Sequence, residues 1–213
     1  MLDVAILDYQ LNNLHSVEAA CNVAGLHSEV TSDFTKILRA KAIILPGVGA
    51  FGEAMTQLID SGLNECITEF VDSGRPFLGI CLGFQLLFDR SEEFGEYEGL
   101  GLISGSVNRL RFSASENARY PVPHVGWNSL TQTACWKESL LKKNAEGDLM
   151  YFVHSLYVEP EDNSITLAET HYGEQTYCSA IQKENIFATQ FHPEKSGPAG
   201  LKIYHTLKEK IQS

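Results

Sequence analysis

The first half of the chain alternates between short apolar runs and longer amphipathic segments, and this alternation limits the folds open to it. The apolar runs have the length and composition of buried strands, and the segments between them have helical periodicity. The predicted strands are 2–9, 27–31, 41–47 and 75–80, and the predicted helices are 12–25, 51–74 and 82–93. Strands and helices in alternation favour a parallel sheet with helices on both faces.

The second half differs, because it consists of strand-like pieces joined by turn residues and closes with an amphipathic helix. The pieces are 99–110, 124–130, 149–158, 165–172 and 177–193, and the helix is 197–213. We expect these strands to add mixed or antiparallel pairs to the same sheet. The sequence therefore predicts a single α/β domain over residues 1–213, with a central, mostly parallel sheet, helices on both faces and an antiparallel extension.

The charge balance argues against two classes of partner. The 213 residues include 27 acidic and 16 basic side chains, for a net charge of −11. Binding to nucleic acid or to an anionic membrane depends on clustered Lys and Arg, so neither partner is expected. No apolar run approaches the roughly 18 residues of a membrane span, and the N-terminus lacks the basic region of a signal peptide.

The five cysteines are odd in number, scattered along the chain and without a C-x-x-C pair. Such spacing is typical neither of a disulfide framework nor of a zinc site. We therefore expect reduced thiols, a cytoplasmic location, no metal and no cofactor.

The segment GICLG places Cys81 between two glycines, Gly79 and Gly83. A strand that ends at Ile80 and a helix that begins at Leu82 would hold the cysteine on a tight, strained turn, where only small neighbours fit. Such a turn exposes a nucleophile at the carboxyl end of the sheet, next to a helix N-terminus that stabilises negative charge. It also aims the N–H of Leu82 at a developing oxyanion. Cys81 is therefore the candidate nucleophile, with a buried structural cysteine as the alternative.

A cysteine nucleophile needs a base, and the base needs a group that orients it. His192 stands in the segment QFHPEKSG and is followed two residues later by Glu194. Residues two apart in an extended segment point the same way, so the carboxylate can reach the imidazole. We therefore predict a triad of Cys81, His192 and Glu194. Two other histidines, His124 and His154, are predicted to be structural.

The segment LPGVGAFG, residues 45–52, spells G-x-G-x-x-G between a strand and a helix, as a dinucleotide-binding loop does. That motif also requires an acidic residue at the end of the next strand, and here the next strand ends at Cys81. No nucleotide is therefore expected. Beside a cysteine turn, the free N–H groups of such a loop can form the second half of an oxyanion hole.

Five segments together carry a family resemblance: PGVGAFG, GICLGFQLLF, PHVGWN, FVHSLY and QFHPEKSG. They resemble the class I, triad-type glutamine amidotransferases and, more narrowly, the glutaminase subunit of imidazole glycerol phosphate synthase in histidine biosynthesis. The resemblance runs from Asp8 to the C-terminal helix. It implies a flavodoxin-like fold and L-glutamine as the substrate.

The resemblance implies a role for each motif residue. Cys81 would attack the side-chain amide of glutamine, and Glu194 would orient His192. His192 would protonate the leaving ammonia and later activate water against a γ-glutamyl thioester. The oxyanion would lie between the N–H of Leu82 and an N–H of the Gly47-Val48-Gly49 strand, whose peptide is expected to flip before it becomes competent.

The resemblance also places the substrate. Gln85 and Glu93 would hold the α-amino and carboxylate ends of glutamine, helped by the backbone of Ser155 and Leu156. Gln85 follows Cys81 by one helical turn, so we expect it to face the same pocket.

A partner is implied as well, namely a (β/α)8-barrel synthase that receives the ammonia through an enclosed channel within a heterodimer. Asn13, Trp127, Tyr151 and Lys195 occupy the positions expected to face it. Core packing is the alternative for Trp127 and Tyr151, and a solvated charge is the alternative for Lys195.

One segment departs from the family pattern. Near the N-terminus the family commonly reads D-Y-G-x-G-N-L, and this chain reads DYQLNNL, with Gln10 and Asn12 in place of both glycines. Glycine permits positive φ and close backbone approach, and asparagine can imitate only the first. The alternative function is therefore the same glutaminase chemistry supplying a paralogous synthase that forms an amidino group on a bacterial surface sugar.

Two functions of other classes also have to be weighed. A catalytically silent subunit could keep the fold, but it would have no reason to keep Cys81, His192 and Glu194 together. A hydrolase of peptides or small amides could use the same triad, but it would not need Gln85 and Glu93.

Overall fold

The carboxyl ends of a set of parallel strands define the region in which the predicted site lies. The computed structural model describes residues 2–10, 14–113, 116 and 119–212. Its strands are β1 (Val4–Leu7), β2 (Ser28–Thr31), β3 (Ala42–Leu45), β4 (Phe77–Ile80), β5 (Phe88–Ser91), β6 (Tyr97–Glu98), β7 (Ile103–Arg109), β8 (His124–Ser129), β9 (Thr131–Gln132), β10 (Leu149–His154), β11 (Leu156–Pro160), β12 (Thr166–Tyr172), β13 (Gln175–Lys183) and β14 (Ile186–Thr189). Its helices are α1 (Leu14–Ala24), α2 (Phe34–Arg39), α3 (Phe51–Asp60), α4 (Leu63–Asp72), α5 (Leu82–Gln85) and α6 (Gly197–Gln212), with 3-10 turns at Asn163–Ile165 and Pro193–Lys195.

Twelve of the described strands form one sheet, in the order β2-β1-β3-β4-β14-β13-β11-β7-β5-β6, and β12 and β9 branch from β13. Strands β2, β1, β3, β4 and β14 pair in parallel, so that β4 lies between β3 and β14. Beyond β14 the pairs are antiparallel, apart from the parallel pair of β5 and β7. The predicted α/β fold, with a central parallel sheet and an antiparallel extension, is confirmed.

The parallel strands are buried on both faces, because their side chains alternate between two hydrophobic layers. On one face Leu7 and Leu45 pack with residues of α2, α3 and α4. On the other face Ile6 and Ile44 pack with residues of α1 and α6. Helices therefore cover both faces, as predicted. Among the helices in the described part of the chain, none combines the length and the hydropathy that crossing a membrane requires.

Two predicted helices are shorter than the sequence indicated. The helix predicted over 51–74 divides into α3 and α4 at Gly62, whose φ of 72° interrupts the helical backbone. The helix predicted over 82–93 ends after one turn, and Phe88–Ser91 forms β5 instead. Residues 82–88 are all buried, so their pattern does not distinguish a helix from a strand. Strand β5 itself has exposed Asp89 and Arg90, and parallel pairing with β7 fixes it.

The segment predicted as one strand over 149–158 is also divided. Strand β10 ends at His154 and β11 begins at Leu156, and the carbonyl of Ser155 between them accepts a hydrogen bond from the N–H of Leu110 at 2.9 Å. Strand β10 pairs with β8 in a separate two-stranded antiparallel sheet. The prediction that all the later strands join the main sheet was therefore wrong for this ribbon.

Helix α6 packs closely against the 3-10 turn Pro193–Lys195. Gly200 permits the approach, because a Cβ atom at this position would overlap the carbonyl oxygen of Pro193. The N–H of Gly200 donates to the carbonyl of Ser196 at 3.2 Å. The C-terminal helix thereby fixes the turn that carries Glu194.

We expect Gly200→Ala to destabilise the protein, although alanine ordinarily stabilises a helix interior by about 1 kcal/mol relative to glycine. The added methyl must push the helix away from Pro193, and such overpacking costs about 1–3 kcal/mol. Denaturant unfolding measures the change. His205→Ala is the matched control on an exposed position of the same helix and should change the free energy of unfolding by less than about 0.5 kcal/mol. A Gly200→Ala variant more stable than the parent would contradict the packing argument.

Candidate active site

Cys81 stands on a strained turn between β4 and α5. Its backbone has φ 54° and ψ −108°. Residues with a side chain rarely adopt this backbone conformation, which costs of order 1–3 kcal/mol. Its N–H donates to the carbonyl of Thr189 on β14 at 2.7 Å. A Cβ atom at Gly83 would overlap the carbonyl oxygen of Leu45, and one at Gly79 would lie 3.1 Å from the Cβ of Ala188. The predicted turn, with its need for small neighbours, is present.

The His192 imidazole lies against the Glu194 carboxylate. Nδ1 of His192 is 2.8 Å from Oε1 of Glu194, and the two side chains are 1% and 0% exposed. The contact was predicted, but the expected reason was wrong, because Pro193–Lys195 forms a 3-10 turn and not an extended segment. Since Nδ1 donates to the carboxylate, the proton that His192 can exchange is the one on Nε2.

The electrostatic setting of His192 favours its protonated form. Burial lowers the pKa of this imidazole, but the negative charge of the Cys81 thiolate and the hydrogen bond and charge of Glu194 outweigh burial and raise its pKa to about 10. An imidazolium in this position stabilises the thiolate that a cysteine nucleophile requires. The carboxylate of Glu194 therefore holds the protonated imidazole at Nδ1, which leaves the Nε2 proton for exchange.

Three of the four residues predicted to form the oxyanion hole lie at the cavity that contains the cysteine. Val48, Gly49 and Leu82 line the same cavity as Cys81. Gly47 does not line it but is buried behind it, where a Cβ atom would overlap the hydroxyl of Tyr9. That hydroxyl donates to the carbonyl of Pro46 at 2.6 Å, so a buried phenol anchors the start of the loop.

The cavity has a volume of about 230 Å³ and contains all four predicted substrate residues. Nε2 of Gln85 donates to the carbonyl of Leu156 at 3.1 Å, and Oε2 of Glu93 accepts from the N–H of Phe51 at 2.6 Å. Ser155 and Leu156 form part of its wall. Pockets for drug-sized ligands span about 300–1,000 Å³, so this cavity suits a smaller molecule.

Gln190 was not predicted, although it links two predicted site residues. Its side chain is wholly buried, and its Oε1 accepts from Nε2 of Gln85 at 3.0 Å. Its own Nε2 lies 3.6 Å from Sγ of Cys81. A signal was available, because Gln190 is two residues before His192 and follows the end of β14, the neighbour of β4.

Three of the four residues predicted to face a partner lie on the β8–β10 ribbon and on the turn beside it. Trp127 is 54% exposed, and its ring centroid is 6.0 Å from that of Tyr151, its cross-strand neighbour. Tyr151 is half-buried and Lys195 is exposed. The fourth residue, Asn13, lies outside the described residues.

Within residues 2–10, 14–113, 116 and 119–212, no group of three or more His, Cys, Asp and Glu side chains could hold a metal ion.

We expect Cys81→Ala to lower the pKa of His192 from its value of about 10, because the substitution removes the thiolate charge facing the imidazolium. NMR titration of the imidazole nitrogens in labelled protein measures the shift. Cys178→Ala is the control, since Cys178 is a buried cysteine that lies outside the cavity. Identical titration of His192 in the parent and in Cys81→Ala would show that the two groups are not coupled.

Comparison with known proteins agrees with this geometry. The family model for glutamine amidotransferase class-I matches residues 2–207. The imidazole glycerol phosphate synthase subunit HisH of Syntrophotalea carbinolica is 45% identical over 94% of this chain and 96% of its own, and that of Aquifex aeolicus is 44% identical over 97% and 96%. A crystal structure of a glutamine amidotransferase shares the fold, with a TM-score of 0.74 over 99% of this chain and 100% of that one. The two sequences are 16% identical. The chain belongs to the class I glutamine amidotransferases and, within them, to the family of imidazole glycerol phosphate synthase HisH subunits.

Proposed function

We propose that the chain is the glutaminase subunit of an imidazole glycerol phosphate synthase. It would hydrolyse L-glutamine to glutamate and ammonia and supply the ammonia for the synthesis of imidazole glycerol phosphate and AICAR in histidine biosynthesis. The observation that carries the proposal is the convergence of Cys81, Gln85 and Glu93 on one small cavity. Similarity to HisH subunits over nearly the whole chain supports the choice of acceptor.

The first half of the reaction forms a thioester. The Cys81 thiolate makes a C–S bond to the side-chain amide carbon of glutamine, and the carbonyl electrons move to oxygen, where N–H groups of Leu82 and the Val48–Gly49 segment stabilise them. When the carbonyl re-forms, the C–N bond breaks. The nitrogen takes the Nε2 proton of His192 and leaves as ammonia.

The second half returns the enzyme to its starting state. Water attacks the thioester carbon while Nε2 of His192, now neutral, takes a proton from it. The C–S bond breaks, the Cys81 thiolate is restored beside the imidazolium, and the γ-carboxyl group of glutamate is released. Glu194 keeps the imidazole in one orientation through both halves, because its carboxylate holds Nδ1.

A (β/α)8-barrel synthase is the proposed partner, as a heterodimer through which ammonia is channelled. The ribbon of β8 and β10 supplies a suitable surface, because Val125, Trp127 and Leu149 are 56%, 54% and 54% exposed on it. Clustered exposed apolar side chains of this kind mark protein contacts. The same ribbon reaches the site, since the N–H of His192 donates to the carbonyl of Tyr151 at 2.9 Å.

The bounds of the domain and the cellular compartment can be proposed from the family match and from the cysteines. We assign residues 1–213 to one glutamine amidotransferase domain, supported by the family match to 2–207. The five cysteines are all free thiols, which supports a reducing compartment such as the cytoplasm.

The departure from the family pattern near the N-terminus is smaller in structure than in sequence. Gln10 has φ 71°, a positive value that glycine adopts readily, so the loss of glycine at this position does not prevent a positive φ. Asn12 lies outside the described residues. Similarity to HisH subunits over nearly the whole chain favours the histidine-pathway acceptor over the surface-sugar synthase.

Glutamate release from glutamine tests the proposal. We expect a low rate from the chain alone and strong stimulation when the histidine-pathway cyclase and its ribonucleotide substrate are added. Cys81→Ala should abolish release in both conditions. Absence of stimulation, with Cys81 still alkylated by an electrophilic glutamine analogue, would indicate a competent site that serves a different synthase.

Trp127→Ala should weaken binding to the cyclase at least tenfold. Large aromatic side chains at the centre of an interface commonly contribute about 2 kcal/mol to the free energy of binding. Titration calorimetry measures the affinity. Val23→Ala removes an exposed apolar side chain from α1 and is the control expected to bind normally. Equal affinity for both variants would place the interface elsewhere.

A further inference from the structure

A buried chain of hydrogen bonds lies behind one wall of the cavity. The hydroxyl of Tyr177 is 3.0 Å from Nδ1 of His124 and 3.1 Å from Nε2 of His154. Nδ1 of His154 is in turn 2.7 Å from the carbonyl oxygen of Leu156. The three side chains are 2%, 3% and 5% exposed, so water does not compete for these bonds.

The direction of each bond follows from the acceptor at the end of the chain. A carbonyl oxygen only accepts, so Nδ1 of His154 must carry the hydrogen. Burial keeps His154 neutral, with a pKa lowered to about 3, so its Nε2 accepts the hydroxyl hydrogen of Tyr177. The oxygen of Tyr177 then accepts from Nδ1–H of His124. Every donor in the chain has one acceptor, which leaves a single arrangement.

The chain of hydrogen bonds ends at a carbonyl of the backbone that lines the proposed glutamine cavity. Leu156 and Ser155 line that cavity, and His154 lines it as well. The Leu156 carbonyl accepts a second bond, from Nε2 of Gln85, whose amide also contacts Gln190. Between β10 and β11 the backbone is paired on one side only, where Leu156 pairs with Arg109 of β7 and the carbonyl of Ser155 accepts from the N–H of Leu110, so the side-chain bonds to Leu156 add to what sheet pairing supplies.

We propose that Tyr177 and His154 are positioning residues for glutamine, which fix the Ser155–Leu156 backbone and, through it, Gln85. The inference rests on the proposed function, since it assigns these residues to the same substrate cavity. Neither side chain takes part in bond making. His154 stays neutral, and its two ring nitrogens are engaged by Tyr177 and by Leu156.

Tyr177→Phe tests the inference, because it removes the hydroxyl and keeps the ring. Measured on the complex with the cyclase, the KM for glutamine should rise about five- to tenfold, the loss expected for one buried hydrogen bond, while kcat stays within about twofold. Tyr172→Phe is the matched control. Its ring stacks on His124 with centroids 3.9 Å apart, but its hydroxyl donates to Pro121 outside the chain, so KM should not change.

A second pair of variants separates positioning from packing. Asparagine at 154 can place an amide N–H where Nδ1–H of His154 stands, and leucine cannot, so His154→Asn should retain a lower KM than His154→Leu. A role in packing alone predicts loss of folded protein, seen as lower kcat and lower melting temperature at unchanged KM. That result, or an unchanged KM in a stable Tyr177→Phe, overturns the inference. Failure of the parent complex to hydrolyse glutamine overturns the proposed function instead.

Discussion

The site depends on one backbone constraint, the strained positive-φ conformation of Cys81 at the end of a central strand. This conformation is held because β4 lies between β3 and β14. On one side the N–H of Cys81 donates to the carbonyl of Thr189 on β14. On the other side Gly83 presses against the carbonyl of Leu45. The parallel sheet therefore determines where the thiol stands, and the strain is carried by strands that are buried on both faces.

Burial alone does not determine the charge of a histidine in this protein. His124, His154 and His192 are all nearly inaccessible to solvent. Burial lowers the pKa of His124 to about 4 and that of His154 to about 3. His192 is raised to about 10, because burial is outweighed by the thiolate of Cys81 and the carboxylate of Glu194. Neutral surroundings therefore keep His124 and His154 uncharged, and anionic partners keep His192 protonated.

The sequence predicted those parts of the fold and site that short segments determine. The strand, Cys81 and the first helical turn were identifiable because glycines flank the cysteine, and Glu194 was identifiable because it is two residues from His192. The extent of helix α5 was not, because a buried apolar run does not distinguish helix from strand. Helix α2 was missed although Asp33 caps it, accepting from Thr35 and Lys36. Gln190 was missed although it is two residues before His192, and Tyr177 could not be placed, since its contacts join distant strands.

The attachment of Tyr151 has a consequence for how this family can change. Its carbonyl accepts from the N–H of His192, and its N–H donates to Oγ of Ser196. Both backbone groups of this one residue are therefore bonded to the two ends of the turn that bears Glu194. Its cross-strand neighbour Trp127 faces outward. Substitution of the outward-facing side chains of the ribbon, such as Trp127, would therefore change what the ribbon binds without moving His192, but a loop insertion or a register shift within β10 would move it. Substitutions on the ribbon can change which partner it binds, whereas a change in the length of the ribbon would be incompatible with activity.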